Sequence, residues 1–318
     1  MNQAIHLEAI RAARGRIAGA VIRTPLIRLN LDDAPAEIYL KLENLQPIGS
    51  FKLRGAGNAI SSASAKQLAD GVWTASAGNM AQGVAWHARQ KGLRCTAVVP
   101  DHAPDAKLAA ITRLGGQIVK VPFDTWWQII VTHAFEGMKG FFVHPVSDPA
   151  VMAGNGTIGL EILEDLPEVD AVVIPFGGGG LSAGIASAIR AIKPDTKLYA
   201  CEVETAAPLA PSMAAGAPQT VSYTATFVDG IGSGGLLPDM WRLVSRLLDG
   251  SLVVALAEIA GAIKLLVERN RVVAEGAGAT PVAAALSGQA GAGKVVCVVS
   301  GGNIDSFKLA KILRGDLP

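Results

Sequence analysis

Short apolar runs alternate along most of the chain with segments in which apolar residues recur at helical spacing. Strands are predicted for the apolar runs at residues 38–43, 71–75, 96–100, 117–121, 141–143, 171–175, 197–202 and 295–299. Helices are predicted before, between and after these runs, from an opening segment at residues 7–20 to a last helix that ends at Leu313. One of them is predicted to begin at Val84, after a turn of small residues at 76–83. Strands and helices that alternate across short connections are typical of a parallel sheet with helices on its faces.

The strand–helix pattern starts again after Ala153, and no linker or low-complexity tract separates the two parts. A chain of 318 residues is long enough for two domains. The sequence therefore predicts an α/β protein with two domains, each an open, mostly parallel sheet flanked by helices. We expect residues 1–70 and 148–318 to form a larger domain. Residues 71–147 are expected to form a smaller domain inserted into it.

The composition excludes several classes of function. Hydrophobic residues make up 50% of the chain, charged residues 17%, and there are 36 glycines, which is typical of a compact enzyme with many tight turns. A net charge of +1 gives little attraction to nucleic acid or to a membrane surface. The apolar run at residues 171–189 contains Pro175 and four consecutive glycines, which argues against a membrane-spanning helix.

The cysteines and the first residues of the chain give an indication of the cellular compartment. Cys95, Cys201 and Cys297 are widely spaced within apolar runs, so they show neither a disulfide framework nor metal-ligand spacing. Residues 1–6 lack the charged start and apolar block of a signal peptide. Both observations favour a cytoplasmic location.

One lysine has an unusual local setting. Lys52 follows Phe51 on a glycine-flanked turn, and a helix is predicted to begin at Leu53. The positive end of the helix dipole disfavours an ammonium group, so this amine loses its proton more easily than a free lysine with a pKa of about 10.4. The residues alone allow a catalytic nucleophile or a surface lysine beside Arg54.

A second candidate site is the loop from Gly177 to Gly180, between a predicted strand and a predicted helix. Backbone N–H groups at a helix N-terminus can bind phosphate without a charged side chain, and a tight turn alone seldom needs four successive glycines. The pattern G-x-G-x-x-A that begins at Gly178 also fits the dinucleotide fingerprint loosely. Glu202 ends the next predicted strand, where a ribose ligand would lie. An NAD-dependent oxidoreductase is therefore an alternative.

Five motifs together resemble the serine/threonine dehydratase and serine racemase group, which are pyridoxal-phosphate (PLP) enzymes of the second fold type. The resemblance covers almost the whole chain, and the five motifs occur in the same order as in the group. They are Ser50-Phe51-Lys52-Leu53-Arg54-Gly55, Ser76-Ala77-Gly78-Asn79, Gly177-Gly178-Gly179-Gly180-Leu181, Glu275-Gly276-Ala277-Gly278 and Ser300-Gly301-Gly302-Asn303.

This resemblance implies PLP as the cofactor. Lys52 would bind it as an imine and later remove the substrate Cα proton, while Asn79 would hydrogen-bond the phenolic oxygen and Ser300 would face the pyridine nitrogen. A neutral hydroxyl stabilises a pyridinium less than a carboxylate does, which suits prompt elimination. Phe51 would pack near the ring. The phosphate would be held by Gly177, Gly178, Gly179, Gly180 and the N–H group of Leu181.

The resemblance also implies the reaction, an α,β-elimination that converts a β-hydroxy-α-amino acid of the threonine or serine type into a 2-oxo acid and ammonia. Ser76, Ala77 and Asn79 belong to the turn that would bind the substrate. Ala77 stands where racemases have a second serine, which favours elimination over racemisation. Met80 replaces a histidine found in many members, and Trp127 is expected near the cleft. If one ring of the pair Trp126 and Trp127 lines the cleft, it favours an apolar or aromatic β-substituent, as in threonine or phenylserine, while a purely structural role for both tryptophans stays open.

Several alternatives stay open on the same fold, including an amino-acid racemase and an enzyme of the threonine synthase type. A homodimer is expected because it is usual among members of the group.

Members of the group have a site for a divalent cation, and its first acidic ligand is matched here by Glu202. A further acid is expected a few residues later, but Ala206, Ala207 and Pro208 stand there. No metal is therefore expected.

Overall fold

The computed structural model of the protein describes residues 4–318. Residues 1–3, which belong to the predicted larger domain and to the segment inspected for a signal peptide, lie outside the described residues. The described chain forms two sheets. Their ten strands are β1 (Leu26–Arg28), β2 (Glu37–Leu42), β3 (Val72–Ala75), β4 (Cys95–Pro100), β5 (Gln117–Val121), β6 (Phe141–Phe142), β7 (Ala171–Pro175), β8 (Lys197–Val203), β9 (Gly250–Val254) and β10 (Lys294–Val299).

Helices cover both sheets, and a 3₁₀ turn at Glu43–Leu45 and a π-helical turn at Leu266–Asn270 complete the regular structure of the described chain. The α-helices are α1 (Leu7–Ile17), α2 (Lys52–Ser62), α3 (Ala65–Leu68), α4 (Asn79–Gln90), α5 (Asp105–Arg113), α6 (Phe123–Thr132), α7 (Pro149–Asp165), α8 (Gly180–Ile192), α9 (Leu209–Ala215), α10 (Pro238–Leu247), α11 (Leu256–Leu265), α12 (Gly276–Leu286) and α13 (Ser306–Arg314). None of these helices has both the length and the apolar content needed to cross a bilayer.

The larger sheet has six strands in the order β1-β2-β10-β7-β8-β9. Only β1 is antiparallel to its neighbour. Strands β7 and β10 lie at the centre and consist almost entirely of buried valine, isoleucine and alanine. Such continuous apolar strands are expected where helices cover both faces of a parallel sheet, and separate apolar clusters do lie on the two faces.

The smaller sheet has four parallel strands in the order β5-β4-β3-β6. All four lie between Val72 and Phe142, within the segment predicted to form the smaller domain. Together the two sheets confirm the predicted α/β class, with open and mostly parallel sheets flanked by helices. The residue limits of the two domains stay a prediction.

Helix α4 differs from the prediction. Residues 76–83 were expected to form a turn before a helix at Val84, but the helix begins at Asn79. The small residues in this segment let α4 pack closely against α2. A side chain at Gly83 would place its Cβ 3.1 Å from the carbonyl oxygen of Lys52. Gly83 therefore permits helix packing and does not form a turn.

The strand order brings three loops to one edge of the larger sheet. Strands β2, β10 and β7 are adjacent and parallel, so their carboxyl ends meet at the same edge. The Lys52 turn comes shortly after β2, Ser300 follows β10 directly, and the glycine loop follows β7. Ligands of open α/β sheets bind outside the carboxyl ends of the strands, which makes this edge the candidate site.

Candidate active site

The lysine turn and the Ser300 turn are joined by backbone hydrogen bonds. The N–H group of Phe51 donates to the carbonyl of Ser300 at 2.9 Å, and that of Gly302 donates to the carbonyl of Gly49 at 2.9 Å. Phe51 and Ser300 are both buried. The position of Lys52 relative to Ser300 is thus set by the backbone of two neighbouring loops.

Lys52 is the first residue of α2. Its Nζ donates to the carbonyl oxygen of Pro145 at 2.8 Å and lies 5.2 Å from the centre of the Phe51 ring. Burial lowers the pKa of Lys52 to about 8, and the carboxylate of Glu275 opposes part of that shift. Roughly a tenth of this amine is therefore unprotonated at pH 7, against less than about a thousandth at the ordinary pKa of lysine, and the unprotonated form is the nucleophile.

A buried ionic cluster anchors the helix that carries Lys52. Arg54 is 1% exposed and pairs with Glu43 at 2.8 Å and with Glu161 at 2.7 Å. Lys41 pairs with the same Glu161 at 2.6 Å, and Thr157 accepts a further hydrogen bond from Arg54. These contacts connect β2, α2 and α7, so they hold the first turn of α2 against the rest of the larger sheet.

The glycine loop leads into the 13-residue helix α8, which begins at Gly180. The residue before it, Gly179, has φ +89° and provides no side-chain cap. A Cβ at Gly178 would lie 2.6 Å from the side chain of Val146, and one at Gly180 would lie 2.5 Å from the carbonyl oxygen of Val146. The loop therefore needs glycine for space, and the start of α8 presents backbone N–H groups suited to an anion.

Asn79 connects the smaller sheet to the lysine turn through two side chains. Its Nδ2 donates to Oε1 of Glu275 at 2.8 Å, and its Oδ1 accepts from Nδ2 of Asn303 at 2.8 Å. Asn303 also donates to the carbonyl of Ile48 at 2.9 Å. These two partners fix the orientation of the Asn79 amide and leave the second hydrogen of its Nδ2 free to bind a ligand.

Glu275 is 7% exposed and lies directly before α12. Burial and, to a smaller extent, the charge of Asp229 together raise the pKa of Glu275 to about 7, and the Asn79 hydrogen bond opposes part of that rise. The sequence predicted Glu275 only as part of a motif and gave it no role. Its partner Asn79 is 196 positions away, so local patterns could not reveal the contact.

The remaining predicted substrate residues fall into two groups. Ser76 and Ala77 are partly buried in the turn before α4, where Ser76 Oγ accepts from the N–H group of Gly78 at 3.2 Å. Met80 is 1% exposed and packs in an apolar cluster, whereas Trp127 is 39% exposed. Their roles in substrate binding stay predictions, and the contacts of Met80 are those of a packing residue.

Glu202 is fully buried at the end of β8 and serves as an acceptor for helix α9. Its carboxylate oxygens accept from the N–H groups of Leu209 and Ala210, both at 2.9 Å, and from Ser251 Oγ at 2.7 Å. These bonds engage both oxygens, so the carboxylate is not presented to a ribose.

Among the described residues, no group of three or more histidine, cysteine or acidic side chains is placed to hold a metal ion.

The residues at this edge fit PLP. The cofactor has an aldehyde, which requires an amine such as that of Lys52, and a phosphate, which requires an anion site such as the start of α8. Leu181 is buried in the first turn of that helix, so its backbone N–H belongs to the same anion site. Both groups follow the carboxyl ends of β2 and β7, the two strands that flank β10 in the larger sheet.

The chain belongs to the family of pyridoxal-phosphate dependent enzymes, whose family model matches residues 17–301. Among its relatives is the L-threonine ammonia-lyase of Thermotoga maritima, which is 41% identical over 98% of this chain and 79% of the relative. The catabolic L-threonine dehydratase TdcB of Escherichia coli K12 is 39% identical over 97% of this chain and 96% of the relative. The structure of maize serine racemase superposes with a TM-score of 0.90 at 34% identity and covers 98% of each chain.

These comparisons confirm the predicted family, fold type and PLP cofactor. The protein is therefore a PLP-dependent enzyme, and both of these relatives are named for threonine ammonia-lyase or dehydratase activity. The alternative of an NAD-dependent oxidoreductase loses its support, because the glycine loop belongs to a PLP enzyme and Glu202 binds a helix start.

Proposed function

We propose that this protein is an ammonia-lyase that converts a β-hydroxy-α-amino acid of the threonine or serine type into a 2-oxo acid and ammonia. The observation that carries the proposal is the Lys52 amine, whose pKa is lowered to about 8 and which lies at the same sheet edge as the open start of α8. The names of the two dehydratase relatives agree with this assignment.

PLP would be held by Lys52, by the glycine loop and the Leu181 N–H, and by Asn79 and Ser300. When bound, the cofactor withdraws electrons from Cα of the amino acid. The unprotonated Lys52 amine is suited to take the Cα proton as a general base. Loss of the β-hydroxyl as water then breaks the Cβ–O bond, and hydrolysis of the resulting enamine gives the 2-oxo acid and ammonia.

The substrate carboxylate has a suitable binding site at the start of α4. Gly78 precedes this 12-residue helix and offers no side-chain cap, so the first N–H groups are available to an anion. Ser76 adds a hydroxyl, and the backbone N–H of Asn79, the first residue of the helix, adds a donor. The methyl group of Ala77 cannot deliver a proton to the opposite face of Cα, which supports elimination over racemisation.

The proposal ranks threonine and serine ahead of phenylserine. An aromatic β-substituent depends on the partly exposed ring of Trp127, whereas Met80 is buried in a packing cluster. We further propose that the enzyme acts as a homodimer in the cytoplasm. This location is consistent with the three buried, unpaired cysteines.

The experiment is to record the visible absorption of the purified protein with PLP and to assay ammonia release from threonine, serine and phenylserine. We expect a cofactor band and ammonia release in the wild type, and loss of both in Lys52→Ala. Lys66→Ala, at an exposed position of α3, is the matched control and should keep both. A wild-type protein that cannot bind PLP, or a Lys52→Ala variant that still releases ammonia, would contradict the proposal.

A further inference from the structure

The segment at residues 143–148 connects β6 to α7, and we call it the strap. It contacts the site at two points. The carbonyl of Pro145 accepts the hydrogen bond from Lys52 Nζ at 2.8 Å. Val146 lies against the glycine loop, where a Cβ at Gly178 or Gly180 would clash with it. The conformation of the strap therefore decides where the amine and the glycine loop lie relative to each other.

One side chain folds the strap. The ring of His144 is 2% exposed, and its Nδ1 accepts from the N–H groups of Val146 at 3.0 Å and Ser147 at 2.8 Å. Two N–H donors aimed at Nδ1 require that this nitrogen carries no proton. The other nitrogen, Nε2, lies 3.0 Å from the carbonyl of Ile130, so Nε2 carries the proton and donates it.

The environment keeps this ring neutral. Burial lowers the pKa of His144 to about 4, while the hydrogen bond to Ile130 opposes the shift and the charges of His133 and Lys52 add to it. His133 stacks on His144 with ring centres 4.2 Å apart. The charge of His133 also acts on Asp148, where it opposes the rise in pKa that burial causes. A ring that does not titrate near neutral pH gives the strap one fixed hydrogen-bond pattern.

We propose that His144 is a positioning residue for Lys52, because it holds the strap in the conformation that places the Pro145 carbonyl on the lysine amine. The inference rests on the proposed function, in which Lys52 binds PLP and takes the Cα proton. We assign His144 itself no contact with the substrate or the cofactor. It acts through the backbone of the two residues that follow Pro145.

Two substitutions separate the hydrogen bonds at Nδ1 from the hydrogen bond at Nε2. His144→Asn retains an acceptor near the position of Nδ1 and loses the anchor to Ile130. His144→Gln retains a donor near the position of Nε2 and loses the acceptor for Val146 and Ser147. We expect the rate of PLP attachment to Lys52 to fall about tenfold or more in His144→Gln and by less in His144→Asn, since misplaced reacting groups lose rate steeply.

His87→Gln is the matched control. His87 is also a buried histidine whose Nε2 bonds a backbone carbonyl, that of Leu53 at 2.8 Å, and burial also lowers its pKa to about 4. It has no bond to the strap. We expect His87→Gln to lose a similar amount of stability and to keep the wild-type rate of PLP attachment and its pH dependence.

The PLP-binding results distinguish failure of the positioning role of His144 from failure of the proposed function. If the wild type binds PLP and releases ammonia but His144→Gln attaches PLP as fast as the wild type does, the positioning role is wrong and the proposed function stands. If the wild type fails to bind PLP, the proposed function itself is wrong. Nitrogen NMR of His144 in the wild type needs no variant. The neutral Nε2–H form at neutral pH supports the inference, and an Nδ1–H form or an imidazolium overturns it.

Discussion

Lys52 and Arg54 lie two residues apart on the first turn of α2, and both are basic residues removed from most of the solvent. Their electrostatic environments are opposite. Burial lowers the pKa of Lys52 to about 8, with only the charge of Glu275 against it. Burial also acts to lower the pKa of Arg54, but the contacts with Glu43 and Glu161 overcome that effect and raise it.

The difference shows that acidic partners, and not burial alone, decide whether a buried base stays charged. Arg54 has two carboxylates within 2.8 Å, and these ion pairs hold the first turn of α2 against the rest of the larger sheet. Lys52 Nζ has a neutral carbonyl as its hydrogen-bond acceptor. One turn of helix thus combines a permanently charged anchor with an amine that can release its proton near neutral pH.

The largest expected effect comes from removing the anchor. Arg54→Met leaves Glu43 and Glu161 buried without their main partner, so we expect a loss of about 3–5 kcal/mol in the free energy of unfolding. Lys52→Met is the matched variant in the PLP-free protein and should change stability by about 1 kcal/mol or less, because no buried carboxylate loses its partner. Denaturant unfolding of both variants tests the contrast, and equal losses would contradict it.

A smaller effect on the free energy of unfolding concerns Glu275, the carboxylate whose charge opposes the lowering of the Lys52 pKa. Its pKa is raised from 4.5 to about 7, so the folded state keeps a proton that the unfolded state releases above pH 4.5. Between pH 4.5 and about 7 the folded protein binds more protons, and stability therefore falls as pH rises. Over the whole window the loss is at most ~3 kcal/mol.

Glu275→Gln keeps an acceptor for Asn79 and removes the titration. We expect denaturant unfolding of the PLP-free variant to show a flatter dependence on pH across this window than the wild type does. Glu202→Gln removes a second buried acid, whose pKa burial also raises while its hydrogen bonds from Leu209, Ala210 and Ser251 oppose the rise. We expect this variant to flatten the pH dependence less than Glu275→Gln does. A wild-type slope that survives in Glu275→Gln would assign the effect to another group.

The sequence patterns were most accurate for the strands that consist of continuous apolar runs. The predicted limits of β5 and β7 agree with the structure, and β10 begins one residue earlier than predicted. The lysine turn, the glycine loop and the Ser300 turn were also predicted, because glycines and a helix start mark each of them. Their convergence then follows from the parallel order of β2, β10 and β7.

Other features depend on contacts between distant residues. Strand β9 and helix α9 were not predicted, since β9 is only partly buried and α9 has just seven residues. Helix α10 was also missed, although its buried residues Met240, Leu243, Val244 and Leu247 follow helical spacing. His144 was not among the predicted site residues, because the role that we propose for it depends on the fold of the strap. Lys41 and Glu161 are 120 positions apart. No local periodicity could pair them.

The most direct test is the pKa of the Lys52 amine in the PLP-free protein, measured from the pH dependence of its side-chain carbon signal by NMR. The Lys52→Ala variant assigns the signal, because it lacks that signal alone. We expect a pKa of about 8, well below the ordinary value of 10.5. A value near 10.5 would mean that the amine stays charged at neutral pH, and it would contradict the assignment of Lys52 as the nucleophile and base.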